Sequence, residues 1–108
     1  MYTVTKRIEV AGAHCLNLPY ESKCRNLHGH NWIITVTCQS EKLTGWGIVS
    51  DFQQIKNIVM RLDHENVNEV IDMNPTAENI AYWLCQQIPN CIKVEVQESE
   101  GNTAIYEV

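Results

Sequence analysis

The sequence predicts an α+β fold, in which a four-stranded antiparallel sheet carries two helices on one face. Alternating runs rich in apolar and β-branched residues stand at both ends of the chain, and two central segments have apolar residues at helical spacing. The predicted order of elements is therefore ββααββ. Because consecutive strands are expected to pair as hairpins, the sheet should be antiparallel with both helices packed on the same side.

The first two strands are predicted within the first 40 residues. Residues 2–13 alternate loosely, and residues 27–40 are rich in β-branched and aromatic types. The intervening segment 14–26 is polar, contains Pro19 and is expected to form a loop.

Two helices are predicted in the middle of the chain. Asp51 can serve as the N-cap of the first, whose apolar residues keep helical spacing to near Asp63. Thr76 can cap the second, which should run to about Ile88. The polar segment 64–74 between them is expected to be irregular.

The last two strands are predicted at residues 92–97 and 104–108, with a turn between them. Residues 1–108 have the length of one domain. A four-stranded sheet has two free edges, and pairing them between subunits is one way to remove them.

The composition narrows the class of protein. The net charge of -5 argues against a general nucleic-acid binder, and no apolar run reaches the length of a membrane span. The five cysteines are odd in number, and no two of them form a Cys-x-x-Cys pair. With no recognisable signal peptide, free thiols in the reducing cytoplasm are expected.

Three of the four histidines are candidate metal ligands. His28 and His30 are two residues apart on a predicted strand, so their side chains share one face. Alone, such a pair is more often two solvated or hydrogen-bonded histidines. If the first two strands pair, however, His14 faces both, and three imidazoles leave one position of a tetrahedral metal open, as in a catalytic zinc site.

Several other residues are candidates for proton transfer. Cys24 lies near the histidine pair and basic residues, which favours a reactive thiolate, although a free cysteine is commonly a small buried apolar residue. Asp63 can orient His64 as a general acid or base, although His64 can equally be a histidine stabilised by a helix C-terminus. A carboxylate near the end of the third strand could accept two parallel N–H bonds from a guanidine-like edge of a ligand. Residue type and position alone do not show whether Glu95, Glu98 or Glu100 has this role.

These motifs together resemble the 6-pyruvoyltetrahydropterin synthase family over nearly the whole chain. They occur in the family's order, namely Ala13-His14, Cys24-x-x-x-His28-Gly29-His30-Asn31, Asp51-Phe52, Leu62-Asp63-His64, Asn74-Pro75-Thr76-Ala77-Glu78-Asn79 and Val96-Gln97-Glu98. The short spacing from Cys24 to His28 is similar to that of the bacterial 6-carboxytetrahydropterin synthase branch, which belongs to queuosine biosynthesis.

The resemblance implies a tunnelling fold, whose subunits join their sheets into a barrel as a trimer or a dimer of trimers. It implies Zn²⁺ on His14, His28 and His30. It further implies Cys24 as catalytic base, Asp63 and His64 as proton relay, and Glu98 as the residue that binds the pterin. The expected substrate is 7,8-dihydroneopterin triphosphate, and the products are 6-carboxytetrahydropterin, acetaldehyde and triphosphate.

Two alternatives remain open from the sequence. A sister enzyme with the same zinc site would eliminate triphosphate to give 6-pyruvoyltetrahydropterin or a related pterin. A non-catalytic module would bind zinc or pterin without turnover, although binding alone does not require Cys24, Asp63 and His64 together with Glu98.

Overall fold

The frame of the structure, a computed structural model that describes residues 1–108, is an antiparallel sheet in the order β1-β2-β3-β4. The strands are β1 (Tyr2–His14), β2 (His28–Ser40), β3 (Cys91–Ser99) and β4 (Asn102–Glu107). The predicted architecture is confirmed. The boundaries of all four strands differ by one or two residues from those predicted. The difference that bears on the site is that His14 is the last residue of β1 and not the first residue of the loop that follows.

Three helices lie on one face of the sheet, namely α1 (Phe52–Val59), α2 (Val67–Val70) and α3 (Ala77–Gln87). The predicted caps are confirmed, since the side chain of Asp51 accepts from the Gln53 N–H and that of Thr76 accepts from the Asn79 N–H.

The region between the two main helices is more ordered than the sequence indicates. The first helix is shorter than predicted, because α1 ends at Val59 and a 3₁₀ turn, Met60–Leu62, follows it. The short helix α2 was not predicted. Its four residues are too few to show a helical period, and a side-chain cap from Asn66 begins it locally.

The core lies between the sheet and the helices. The strands contribute the completely buried side chains of Val10, Ile34 and Val96. The helical layer contributes those of Leu62 and Leu84. Residues two apart on a strand share a face, so the buried stripes of β1, β2 and β3 run toward His14, His28 and Glu98 respectively. No helix of the structure has the length and apolar character needed to cross a membrane.

An uninterrupted ladder joins β1 to β2. It starts at Tyr2 opposite Ser40 and ends at His14 opposite His28, with Gly12 opposite His30. The strands thereby bring the histidines to one end of the sheet.

The chain after α1 packs closely against the end of β1. The Ala13 N–H donates to the Glu65 carbonyl at 3.0 Å, and Ala13 also forms an isolated parallel bridge with Asn66. Gly12 lies beneath this contact. A Cβ atom there would stand 2.9 Å from Cζ3 of Trp32 and 3.1 Å from the Leu62 carbonyl oxygen. Only glycine therefore fits without a shift of its neighbours.

We expect Gly12→Ala to lower the free energy of unfolding by about 1–3 kcal/mol, because the added methyl group overpacks a region closed by backbone. Urea unfolding of the metal-free protein measures the effect. Gly45→Ala is the matched control, since a Cβ atom at Gly45 meets nothing within 4 Å. Equal stability of the two variants would contradict the assigned contact.

Candidate metal centre and adjoining cavity

Three imidazoles meet at the end of the core. The ring centroid of His14 lies 4.5 Å from that of His28 and 5.1 Å from that of His30, and the latter two are 4.8 Å apart. One potential ligand atom from each ring lies within 4.8 Å of the others. The expectation that His14 faces the His28–His30 pair is confirmed.

Backbone carbonyls orient two of the rings. Nδ1 of His14 lies 2.7 Å from the Pro75 carbonyl oxygen, and Nδ1 of His28 lies 2.6 Å from that of Asn26. Each ring can therefore donate its Nδ1–H to a carbonyl, which leaves the lone pair on Nε2. This tautomer is the one that a metal ligand requires, and such carbonyl contacts commonly hold ligating histidines.

The Nε2 atoms of His14 and His30 are buried without a hydrogen-bond partner. The nearest carboxylate oxygen, Oε1 of Glu98, lies 3.5 Å from the first and 3.7 Å from the second. Burial lowers the pKa of His14 and outweighs the opposite effects of the Pro75 carbonyl and Glu98. Buried imidazole nitrogens without a hydrogen-bond partner suit a bound cation, so the donor set fits a metal ion such as zinc.

Trp32 packs behind the histidines. Its ring centroid lies 5.0 Å from that of His14 and 5.4 Å from that of His30, and its side chain is fully buried. The indole restricts the positions that these imidazoles can take, and it separates the cluster from the rest of the core.

A cavity of about 290 Å³ adjoins the cluster at Glu98. One wall is the first turn of α3, at Ala77 and Glu78, and the other is the connection from β3 to β4. Glu98 thus contacts both the histidines and the cavity. Glu78 was not singled out from the sequence as a site residue, because an acidic residue in the first turn of a helix is common for electrostatic reasons.

Glu98 differs from the two neighbouring glutamates because it lies on the buried face of β3. It continues the buried stripe of Val94 and Val96, whereas Glu95 is out of phase with them and Glu100 lies beyond the strand. This parity is visible in the sequence and could have selected Glu98 from the residues alone.

A more apolar cavity of about 470 Å³ lies at the other end of the sheet, beside Tyr2 and Phe52. From Tyr2 to His14 an extended strand spans roughly 40 Å, so this cavity is separate from the histidine cluster.

Asp63 and His64 form a tight pair beside β1. Oδ2 of Asp63 lies 2.7 Å from Nδ1 of His64, and Oδ1 accepts from the Ala11 N–H at 2.9 Å. These two contacts, the Ala11 N–H first, lower the pKa of Asp63. The backbone N–H of His64 donates to the Ala11 carbonyl at 2.6 Å. His64 has a positive φ of 57°. The His64 ring is 81% exposed and is not one of the three clustered imidazoles.

Cys24 lies in the segment between β1 and β2, within a 3₁₀ turn at Lys23–Arg25. Its N–H donates to Oγ of Ser22 at 3.1 Å, and its carbonyl accepts from the Leu16 N–H at 2.7 Å. The thiol is partly accessible and belongs to no disulfide. No side-chain hydrogen bond or ion pair joins Cys24 to the cluster or to His64 within this chain.

The sequence is similar to known proteins over most of its length. The sequence profile of the family described as 6-pyruvoyl tetrahydropterin synthase matches residues 3–108. A Synechocystis protein named 6-carboxy-5,6,7,8-tetrahydropterin synthase is 34% identical, with 98% of this chain and 93% of that protein covered. A Pyrococcus furiosus protein named dihydroneopterin monophosphate aldolase is 35% identical, with 76% of this chain and 70% of that protein covered.

The fold also matches a solved structure. The 6-pyruvoyl tetrahydropterin synthase of Caenorhabditis elegans superposes with a TM-score of 0.76 and 22% sequence identity, covering 99% of this chain and 95% of that one. At this identity the likeness establishes the tunnelling fold and nothing finer.

We expect His28→Ala to abolish tight metal retention, because two imidazoles remain where three converge. Metal analysis after dialysis against buffer containing trace zinc measures the effect. His64→Ala is the matched control and should keep the wild-type metal content, since the exposed His64 is outside the cluster. A full metal complement in His28→Ala would refute the ligand assignment.

The stability of the metal-free protein should decrease below pH 6.5. Because burial lowers the folded-state pKa of His14 below its ordinary value of 6.5, the unfolded chain binds more protons there as the pH falls. The stability contribution is therefore complete above that pH and is lost below it. Urea unfolding in a chelator at about pH 7.5 and about pH 5.5 measures the difference, which should shrink in His14→Gln. An undiminished difference in that variant would contradict the assignment.

Proposed function

Because the chain belongs to the 6-pyruvoyl tetrahydropterin synthase family, we propose that it is a zinc-dependent lyase acting on 7,8-dihydroneopterin triphosphate. With one water molecule consumed, the products would be 6-carboxy-5,6,7,8-tetrahydropterin, acetaldehyde and triphosphate, in queuosine biosynthesis. One observation carries the proposal: Glu98 stands between three convergent imidazoles and a cavity. The Synechocystis relative supports this choice of reaction by its name and nearly complete coverage.

His14, His28 and His30 would hold the zinc ion through Nε2. Three protein ligands leave a position for substrate, and the bound ion would supply Lewis-acid polarisation of the substrate's side-chain oxygens. The carbonyls of Pro75 and Asn26 would keep two of the rings in the ligating tautomer.

Glu98 would bind the pterin ring. A carboxylate can accept two parallel N–H bonds from the aminopyrimidine edge, which fixes the orientation of a planar ring as well as its position. The location of Glu98 beside both cavity and histidines supports this role, since an anchored ring would direct its side chain toward the metal ligands.

Cys24, Asp63 and His64 would carry the proton transfers. The Cys24 thiolate would remove a proton from the side-chain carbon next to the ring. Asp63 would hold Nδ1–H of His64 and stabilise the imidazolium, so that Nε2 exchanges protons with the substrate. The lowered pKa of Asp63 supports this division of roles, because the carboxylate stays ionised while His64 cycles.

The active protein would be a homo-oligomer, either a trimer or a dimer of trimers. The outer edges of β1 and β4 have no further strand beside them, and the exposed His64 ring is not part of the histidine cluster in its own subunit. All five cysteines are free thiols, which supports a location in the reducing cytoplasm.

A second candidate is aldol cleavage of a phosphorylated dihydroneopterin. The Pyrococcus furiosus relative, named dihydroneopterin monophosphate aldolase, favours it at 35% identity. This reaction releases a different fragment and leaves no carboxylate on the pterin. A sister enzyme that forms a pyruvoyl pterin is a further possibility within the family.

Incubating the zinc-loaded protein with dihydroneopterin triphosphate, and separately with the monophosphate, distinguishes these reactions. We expect a carboxypterin and acetaldehyde from the triphosphate, identified by mass. A pyruvoyl pterin, or aldol cleavage of the monophosphate alone, would transfer the assignment to the corresponding sister enzyme. Tight pterin binding without turnover would indicate a binding module.

We expect Cys24→Ala to lose turnover by at least about 100-fold while keeping its zinc, because it removes the base without touching a ligand. Cys15→Ala is the matched control, since Cys15 is also a partly exposed free thiol near the cluster. Wild-type turnover in Cys24→Ala would eliminate the base role.

A further inference from the structure

The chain continues in a strand-like manner for three residues after β1. The backbone groups of Cys15 and Asn17 turn to one side and that of Leu16 to the other, as alternate residues of a strand do. On the first side the partners are two asparagine side chains. On the second side the partner is the backbone of Cys24.

We propose that Asn68 and Asn74 are positioning residues that hold Cys24 in its working position, through the segment of residues 15–17. The inference rests on the proposed role of Cys24 as catalytic base. Neither asparagine was singled out by its residue type, and neither belongs to the histidine cluster or the Asp63–His64 pair.

Asn68 imitates a neighbouring strand at Cys15. Its Oδ1 accepts from the Cys15 N–H at 2.8 Å, and its Nδ2 donates to the Cys15 carbonyl at 2.9 Å. One side-chain amide thus satisfies both backbone groups of a single residue. Asparagine has the required donor and acceptor, whereas aspartate has two acceptors and cannot bond the carbonyl.

Asn74 makes the same pair of contacts at Asn17. Its Oδ1 accepts from the Asn17 N–H at 2.8 Å, and its Nδ2 donates to the Asn17 carbonyl at 3.2 Å. Its own backbone is fixed, since its carbonyl accepts from the Thr76 N–H at 2.8 Å and from Nδ2 of Asn79 at 2.8 Å. The support therefore extends to the beginning of α3.

The segment held in this way supports Cys24 directly. The N–H of Leu16, between the two clamped residues, donates to the Cys24 carbonyl at 2.7 Å. Leu16 follows His14 by two residues, and Asn74 precedes Pro75, whose carbonyl contacts Nδ1 of His14. One stretch of chain thus leads from His14 to the residue that contacts Cys24, and the two asparagines hold that stretch in place.

The expected effect of releasing the segment is on rate rather than on substrate binding. A displacement of a reacting group by about 1 Å can reduce the rate on the order of 100-fold. In Asn68→Ala and Asn74→Ala we therefore expect kcat to fall by about 10- to 100-fold, with KM within about 2-fold of wild type and zinc content unchanged. Asn68→Asp, nearly isosteric, should lie in between.

Alkylation of Cys24 provides a readout that does not require turnover. The rate of iodoacetamide modification is followed by the mass of the Cys24 peptide. It should rise several-fold in Asn68→Ala and Asn74→Ala, in which the segment of residues 15–17 is no longer held. Asn57→Ala is the matched control, because Asn57 is exposed on α1 and the one side-chain hydrogen bond it makes is with Gln53. It should leave kcat and alkylation as in wild type.

Wild-type kcat and alkylation in both alanine variants would overturn the inference. So would a loss of zinc that accounts for the whole fall in kcat, because the asparagines would then be general structural residues. A wild-type protein without turnover, whose Cys24 alkylation still responds to Asn68→Ala and not to Asn57→Ala, would refute the proposed function but leave Cys24 held by the asparagines.

Discussion

The register of β1 against β2 is the constraint on which the candidate site depends. A slip of one residue would move every side chain of one strand to the opposite face and would separate His14 from its partners. The buried stripes prevent that slip, because it would expose Val10 or Trp32 to water. The apolar residues of the core thus determine the geometry of the histidines, although most of them do not contact the rings.

Burying the polar groups of the histidine cluster lowers the stability of the fold, and the rest of the structure has to offset this loss. Two imidazole nitrogens are buried without partners, and desolvation opposes the protonation that would let His14 form an ion pair with Glu98. A core of apolar side chains and an extensive strand ladder tolerate this arrangement. Such local conflict between folding and polar satisfaction is expected at functional sites rather than in structural cores.

Local patterns predicted most of the fold because they act over short distances. The caps at Asp51 and Thr76, the strands and the approach of His14 to His28 all follow from periodicity and hairpin pairing. Helix α2 and the contact of Gly12 with Leu62 depend on tertiary packing, to which neighbouring residues in the sequence give no guide.

Part of the candidate site could also be predicted from the sequence. Residue type and spacing identified the three histidines, whereas Glu98 needed either the family resemblance or its strand parity with Val96. The asparagine clamps could not have been found, since an exposed or half-buried asparagine is common in loops and caps. The side chains of Asn68 and Asn74 bond to backbone groups more than 50 residues away in the chain.

All three imidazoles belong to the two strands of one N-terminal hairpin, whereas Pro75 and Glu98, which complete their surroundings, come much later in the chain. The ligands are thus close in sequence, so bringing them together costs little loop-closure entropy. If the cluster holds a metal ion as proposed, the hairpin alone would be a weak chelator, and packing of the later elements would make it a rigid one. On the proposed role of the cluster, metal affinity would increase as folding proceeds, and a bound ion would stabilise the folded chain more than its partly folded precursors.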